Sequence, residues 1–189
     1  MALALAHKGL DVEWVEVDPD DRTPVRELSG QELVPVLVDG EEVIADSTRI
    51  LEHLELRFPD PPLYPRDPAR RAEVEVFLDW FNRVWKRPPN ELDALLSQPE
   101  PDEALVEELD RELTDSLAVF EALLAGRNYL MGDFSVADCA AFPFLRFALW
   151  IEDDDPYLFH RILADRLALG DGYPRLRGWL ERMDARPRA

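Results

Sequence analysis

Cysteine and histidine are scarce in this sequence of 189 residues, which contains one cysteine and three histidines. A single cysteine cannot form a disulfide within the chain, so the sequence fits a reducing compartment and we expect a cytoplasmic protein. The histidines, His7, His53 and His160, lack the spacing of metal ligands. No metal site is therefore predicted.

Basic residues and long apolar runs are also few. Lysine and arginine total 21 against 40 aspartates and glutamates, which gives a formal net charge of −19. So acidic a surface repels phosphate backbones, and a nucleic-acid partner is not expected. No apolar run approaches the roughly 20 residues needed to span a bilayer, and the apolar start at residues 1–6 is too short for a signal peptide. No membrane partner is expected either.

The most informative stretch is residues 33–47. Pro35 opens a short apolar run, and a residue without an amide donor suits the start of a strand. The Asp-Gly pair at 39–40 supplies a tight turn, and the second strand leads directly into Asp46-Ser47 and an amphipathic helix. Because the first turn of a helix has unpaired N–H groups, Asp46 and Ser47 stand where a carboxylate ligand would bind. The stretch predicts a β-hairpin, a helix and a small-molecule site.

The rest of the chain divides at a proline-rich linker, residues 59–65. Before the linker, short helices are predicted over residues 2–9 and 23–29, and residues 12–17 alternate as a β-strand does. After it, apolar residues recur at helical spacing throughout, so only helices are predicted. They are a helix ended by Pro88-Pro89, a long one along residues 105–124, one beginning at Ser135, a shorter one over 157–169 and a last one beginning at Pro174.

Val34-Pro35 followed by Asp46-Ser47, in this order of elements, resembles the thioredoxin-like domain of the glutathione S-transferases. The helical remainder resembles the second domain of that family, so the resemblance covers nearly the whole chain. It implies an α/β plus all-α fold. A truncated thioredoxin-like domain would occupy residues 1–60, and a glutathione-transferase-type helical bundle would occupy 68–189.

The resemblance also implies which residues hold glutathione. In the family the proline is cis, and the main chain of the residue before it pairs with the cysteinyl part of glutathione. The acid-serine pair holds the γ-glutamyl carboxylate. Carried over to this sequence, the contacts are Val34, Pro35, Asp46 and Ser47. By the same resemblance we expect a homodimer.

Ser135-Val136-Ala137-Asp138 is a capping box with aspartate in the position usual for glutamate. It resembles the helix-start motif that the family buries in its second domain, so we assign Ser135 and Asp138 a structural capping role. Cys139 lies beside an aspartate in an apolar helix. A nucleophilic cysteine needs an electropositive and accessible setting, so Cys139 is interpreted as a core residue.

Three aromatic residues, Trp80, Phe81 and Trp85, follow one another at helical spacing. They are candidates for the wall of a hydrophobic electrophile pocket between the domains. Aromatic residues at this spacing also occur simply as packing in a helical core. Both interpretations stay open at this point.

In the family, a first strand and the start of a first helix precede the helix that ends here at Gly9. That segment carries the tyrosine, serine or cysteine that activates the thiol, so the catalytic residue is expected upstream of Met1. The absent strand would lie between the strand of Trp14 and the strand of Val36, leaving the former without a neighbour. Three explanations fit this absence: a start codon placed too far downstream, a fragment, or a truncated paralogue. We favour the misplaced start codon, because the other site residues are present.

The leading functional hypothesis is a glutathione S-transferase that joins glutathione to a hydrophobic electrophile. The alternative is a non-catalytic binding or assembly module built on the same fold. A third hypothesis is a helical domain that happens to carry a hairpin. Conjugation, glutathione-dependent reduction, isomerisation and dehalogenation stay open as reaction types, because the residue that decides among them is expected in the absent segment.

Overall fold

The computed structural model describes residues 1–189 and separates them into two units. Unit 1 comprises residues 1–64 together with 187–189, and unit 2 comprises residues 65–186. The sequence predicts the division between residues 60 and 68. It does not foresee that the C-terminal residues belong with unit 1.

Unit 1 contains three helices and one β-hairpin. Its elements are α1 (Ala2–His7), α2 (Thr23–Ser29), β1 (Val36–Asp39), β2 (Glu42–Ala45) and α3 (Ser47–Arg57). β1 and β2 pair antiparallel across a two-residue turn, in a register that runs from Asp39 opposite Glu42 to Val36 opposite Ala45. Gly40 in the turn has a φ of 63°, a conformation that glycine adopts without strain.

Residues 12–17 do not form the predicted strand. None of the main-chain N–H or C=O groups of residues 11–17 makes a hydrogen bond within the chain. A strand exists only where a neighbour pairs with it, and the sheet of this chain contains β1 and β2 alone. The prediction is wrong because an alternating sequence supplies β propensity but not a pairing partner.

The core of unit 1 is a cluster of Leu5, Ile50 and Leu54, which brings α1 and α3 together. Leu37 and Ile44, which lie opposite each other in the hairpin, pack against this cluster. Side chains alternate between the two faces of a strand, so the neighbouring valines lie on the other face of the hairpin. The hairpin is thus attached to the helices through one face.

A buried lysine ties the end of α3 and the linker to α1. The side chain of Lys8 is 0% exposed, and its ammonium donates to Glu55 Oε2 (2.7 Å) and to the carbonyls of Phe58 (2.6 Å) and Pro61 (3.1 Å). Glu55 also accepts the N–H groups of residues 63–64, at 2.9 and 3.3 Å. These bonds satisfy both buried charges and hold the linker against α3.

Unit 2 is all-helical. Its helices are α4 (Pro68–Trp80), α5 (Arg87–Leu96), α6 (Glu103–Leu123), α7 (Val136–Leu145), α8 (Leu158–Arg166) and α9 (Pro174–Asp184), with a π-helical turn at Phe81–Trp85 and a 3₁₀ turn at Arg146–Ala148. The sequence places Pro88-Pro89 at the end of a helix, whereas the structure begins α5 there. Both prolines lie in the first turn, where no N–H donor is required. No helix combines the length and the apolar character that crossing a bilayer requires.

The predicted apolar stripe of α6 is buried from Leu109 onward. The same holds for the predicted core face of α9, formed by Leu176, Trp179, Leu180 and Met183. Periodicity identifies these faces because each helix has a single buried side.

Replacing Lys8 by methionine tests the buried ion pair. We expect a loss of about 3 kcal/mol in the free energy of unfolding, because Glu55, whose side chain is only 14% exposed, is left charged without its ammonium partner. Urea denaturation measures the change. Arg49→Met, which removes the same charge from an exposed position on α3, should change the free energy by less than about 0.5 kcal/mol. The double variant Lys8→Met, Glu55→Met should recover part of the loss; a further loss would contradict the ion-pair interpretation.

Candidate functional site

The hairpin places the predicted site residues at one of its ends. The β1–β2 pairing ends with Val36 opposite Ala45, so Pro35 directly precedes β1 and Asp46 directly follows β2 at the open end. The Val34–Pro35 peptide bond is cis. Two pairs of residues that are about a dozen positions apart in sequence therefore flank the open end of the hairpin.

Val34 offers its main chain to a ligand. The residue is 50% exposed, and neither its N–H nor its C=O group makes a hydrogen bond within the chain. The main chain of the preceding residue, Leu33, is fixed by the side chain of Gln31. This side chain accepts a hydrogen bond from the N–H of Leu33 (2.5 Å) and donates one to its C=O (2.7 Å). The sequence carries no pattern that would identify this role of Gln31.

Asp46 is the N-cap of α3. Its Oδ1 accepts the N–H groups of Thr48 (2.9 Å) and Arg49 (3.1 Å). Its φ of 78° with a ψ of 126° lies outside the regions favoured by a residue with a side chain. Such strain costs about 1–3 kcal/mol and concentrates at functional sites.

Ser47 is the first residue of α3, and it is half-buried. Neither its hydroxyl nor its N–H group has a hydrogen-bond partner within the chain. An N–H at the start of a helix attracts a negative group, and a hydroxyl beside it adds a second donor. Ser47 can therefore donate two hydrogen bonds to one carboxylate.

A second contact fixes the hairpin on α3. His53 Nε2 lies 2.8 Å from Asp39 Oδ2, and this hydrogen bond holds the pKa of Asp39 below its usual value. Since Asp39 ends β1, the contact ties the turn end of the hairpin to the middle of the helix. The open end, where Ser47 lies, is held by the cap at Asp46.

In unit 2, the capping box at Ser135 and Asp138 is present at the start of α7. Asp138 Oδ2 accepts the N–H of Ser135 (2.9 Å), and Oδ1 accepts the N–H of Leu130 (3.0 Å) and the indole N–H of Trp179 (2.8 Å). Burial raises the pKa of Asp138 to about 6, although these hydrogen bonds oppose the rise. The bonds from Leu130 and Trp179 come from distant positions that the sequence does not link to Asp138.

The single thiol is not a nucleophile. Cys139 is buried, and burial, with the negative charge of Asp138 as a second cause, raises the pKa of its thiol to about 12. A thiol with that pKa remains protonated near neutral pH. Any sulfur chemistry at this protein therefore requires an external thiol.

The three candidate pocket aromatics differ in exposure. Phe81 and Trp85 are buried in the π-helical turn and stack on each other with ring centroids 4.6 Å apart. The indole N–H of Trp85 donates to Ser116 (2.9 Å), a bond inside the bundle. Trp80 is half-buried. Among the three, Trp80 is the side chain with most surface left for a ligand.

Comparisons with known proteins extend over most of the chain. Models of the glutathione S-transferase N-terminal and C-terminal domains match residues 1–62 and 91–187. Glutathione S-transferase F10 of Arabidopsis thaliana is 33% identical over 159 residues, which cover 77% of this chain and 73% of that protein. The stringent starvation protein A homolog of Haemophilus ducreyi is 30% identical over 145 residues, covering 76% of this chain.

A solved structure agrees in fold. The theta class glutathione S-transferase of Xanthomonas axonopodis pv. citri, with glutathione bound, has a TM-score of 0.71 and 26% identity, covering 98% of this chain and 86% of that one. The family resemblance and the predicted fold class are confirmed by these matches. The alignment spans 65% of the length of the Haemophilus ducreyi relative.

The strain at Asp46 can be measured by comparing two substitutions. Both Asp46→Gly and Asp46→Ala remove the capping acceptor, but only alanine keeps a Cβ at a φ of 78°. We therefore expect the glycine variant to be the more stable by about 2 kcal/mol in urea denaturation. Asp102, which caps α6 at a φ of −71°, is the matched control. At position 102 the difference in stability between the glycine and alanine variants should be about 1 kcal/mol smaller than at position 46. Equal differences at both positions would contradict strain at Asp46.

Asp138 should make stability depend on pH. Its pKa of about 6 in the folded protein exceeds the ordinary value, so the folded state holds the proton more tightly than the unfolded state. Its contribution is complete below about pH 4 and is lost as the pH rises through 6, a fall of roughly 3 kcal/mol. Asp138→Asn should remove this fall from a urea-denaturation series, whereas Asp133→Asn, at an exposed position nearby, should retain it. A slope unchanged in Asp138→Asn would contradict the assignment.

Proposed function

Since the chain belongs to the glutathione S-transferase family, we propose that it binds glutathione on unit 1 and joins glutathione, through its thiol sulfur, to a hydrophobic electrophile. The observation that carries the proposal is that Val34 and Ser47 flank the open end of the hairpin, where the pairing of β1 with β2 ends at Val36 and Ala45. Both residues have main-chain groups that no part of the chain satisfies. A ligand with main-chain-like and carboxylate groups supplies what they lack.

The two ends of glutathione suit the two sides of this site. A γ-glutamyl group carries an ammonium and a carboxylate on one carbon. Ser47 offers two donors to the carboxylate, and Asp46, whose Oδ1 is used in capping, offers its Oδ2 to the ammonium. The cysteinyl amide would pair with the main chain of Val34, beside Pro35. The peptide would thus continue the hairpin as a strand does.

The chemistry requires a thiolate, because the anion is the nucleophile. Glutathione has to supply it, since the thiol of Cys139 is buried and protonated. The sulfur forms a bond to the electrophilic carbon, the leaving group departs with its electron pair, and the thiol proton passes to solvent. We assign no side chain of this chain to activation of the thiol.

For the electrophile we propose an apolar molecule in contact with Trp80. Phe81 and Trp85 would act through packing, because both are buried. By family likeness we also propose a homodimer in the cytoplasm. Neither proposal affects the proposed glutathione site, whose residues all belong to unit 1.

A second candidate function is a non-catalytic binding or assembly module. It is favoured by several relatives, among them the stringent starvation protein A homolog of Haemophilus ducreyi, whose names describe no transferase. Such a module would keep the fold and need no activated thiol. Glutathione binding and turnover, measured separately, distinguish the two functions.

Calorimetric titration with glutathione tests the site. We expect Ser47→Ala to weaken binding by about tenfold or more, since it removes a hydrogen bond to a charged carboxylate. Ser97→Ala is the control, because this exposed serine in unit 2 donates only to a carbonyl of its own helix. Equal affinity in the wild type and Ser47→Ala would contradict the proposed site.

Turnover is measured with chlorodinitrobenzene as the electrophile, following formation of the thioether. Binding with turnover supports the transferase. Binding without turnover supports a glutathione-binding module, and the absence of both would overturn the transferase proposal.

A further inference from the structure

The chain contains two Asp-Gly pairs, at residues 39–40 and 171–172. An aspartate isomerises most readily before glycine, because glycine has no side chain to hinder attack by its own nitrogen. The first pair lies at the turn end of the hairpin, and the second lies in the loop between α8 and α9. The two pairs have different surroundings.

The reaction begins at the side chain of the aspartate. The glycine nitrogen forms a bond to the protonated carboxyl group at Cγ, and water leaves with the hydroxyl of that group and the proton of the nitrogen. Water then opens the five-membered succinimide ring at either carbonyl carbon. Opening at Cγ restores aspartate, whereas opening at the main-chain carbonyl gives isoaspartate, with the chain running through Cβ and Cγ. The reaction thus needs a protonated carboxyl group and a main chain that is free to rotate.

The carboxylate of Asp39 is held in the unreactive form. Its Oδ2 lies 2.8 Å from His53 Nε2 and 3.7 Å from Arg57 Nε. The hydrogen bond with His53 holds the pKa of Asp39 below its usual value, so the ionised carboxylate is favoured. The main chain of Asp39 is paired opposite Glu42 in the hairpin. This pairing hinders the rotation that would bring the carboxyl group onto the nitrogen of Gly40.

Asp171 has no such restraint. Asp171 and Gly172 are exposed and lie outside every helix and strand. Neither the side chain of Asp171 nor the main chain of either residue makes a hydrogen bond or an ion pair within the chain. A Cβ placed on Gly172 would meet no atom within 4 Å, so the space beside its nitrogen is open. A loop without such bonds moves more than the helices that it connects.

The helix after the loop is anchored separately. Glu121 of α6 accepts the N–H groups of Arg175 (3.1 Å) and Leu176 (2.9 Å) in the first turn of α9. Isoaspartate adds one carbon atom to the main chain and leaves the charge unchanged. Because the added atom falls before this anchor, the exposed loop can absorb it while α9 stays in place.

We propose that Asp171 is a modification site, at which a succinimide and then isoaspartate form spontaneously, and that contact with His53 protects Asp39 from the same reaction. The product belongs to the class of residue that protein isoaspartate methyltransferases recognise, since its main-chain carboxylate is set free. This modification is separate from the transfer of glutathione.

Ageing the full chain at neutral pH and physiological temperature tests the proposal. Isoaspartate methyltransferase with labelled S-adenosylmethionine, followed by peptide mapping, measures isoaspartate at each pair. We expect the peptide containing Asp171 to carry several times more label than the peptide containing Asp39. Gly172→Ala should lower the label at Asp171 severalfold, because the added methyl group hinders attack. Gly170→Ala is the matched control, since a Cβ at either position meets no atom within 4 Å, and it should leave the label unchanged.

The absence of label at Asp171, or a label that Gly172→Ala and Gly170→Ala lower equally, would overturn the modification site. Equal label at the two pairs of the folded wild type would overturn the protection of Asp39.

The protection of Asp39 is tested in two ways. His53→Leu removes the partner of the carboxylate, so label at Asp39 should rise while label at Asp171 stays constant. Synthetic peptides that contain each pair, aged free in solution, keep this test independent of the folding of the variant. They should gain label at similar rates. A free peptide that labels at Asp39 as slowly as the folded chain would assign the difference to local sequence and overturn the protection, as would an unchanged label at Asp39 in His53→Leu.

Discussion

The antiparallel register of β1 and β2 is the constraint on which the proposed site depends. Because Val36 faces Ala45, Val34-Pro35 and Asp46-Ser47 flank the same open end of the hairpin. A slip of one residue would turn Leu37 and Ile44 away from the core, so packing of that pair fixes the register. The position of the proposed glutathione site is thus set by packing of Leu37 and Ile44 against the core of unit 1, rather than by any contact with the ligand.

Each unit also contains one carboxylate, part-buried in unit 1 and buried in unit 2, that accepts hydrogen bonds from N–H groups of a loop. Glu55 accepts two such groups from the linker and is neutralised by the ammonium of Lys8. Asp138 accepts from Leu130, Ser135 and Trp179 and has no cation, so burial raises its pKa instead. In both units the N–H groups of a loop need hydrogen-bond acceptors. In unit 1 the acceptor is Glu55, paired with an ammonium group, and in unit 2 it is Asp138, a carboxylate that is easily protonated.

Sequence predicts the parts of this fold that depend on local pattern. The predicted range 23–29 agrees with α2, the capping box follows from its spacing, and the buried face of α9 from its helical period. Prediction from sequence fails where the structure of a residue depends on a partner that is distant in the sequence. Residues 12–17 have strand propensity without a neighbour, and no pattern links Lys8 to Pro61 or Asp138 to Trp179. The paired prolines in the first turn of α5 show a different failure, because the same residues suit the start of one helix and the end of another.

The strongly acidic charge bears directly on the proposed binding of glutathione. Glutathione is itself an anion, so the net charge of −19 opposes its approach at long range. At physiological salt this repulsion is screened beyond about 8 Å, so in the proposed site the local donors of Val34 and Ser47 would decide binding. The proposed recognition therefore depends on unpaired main-chain and hydroxyl donors at the start of a helix, and not on the overall charge of the surface.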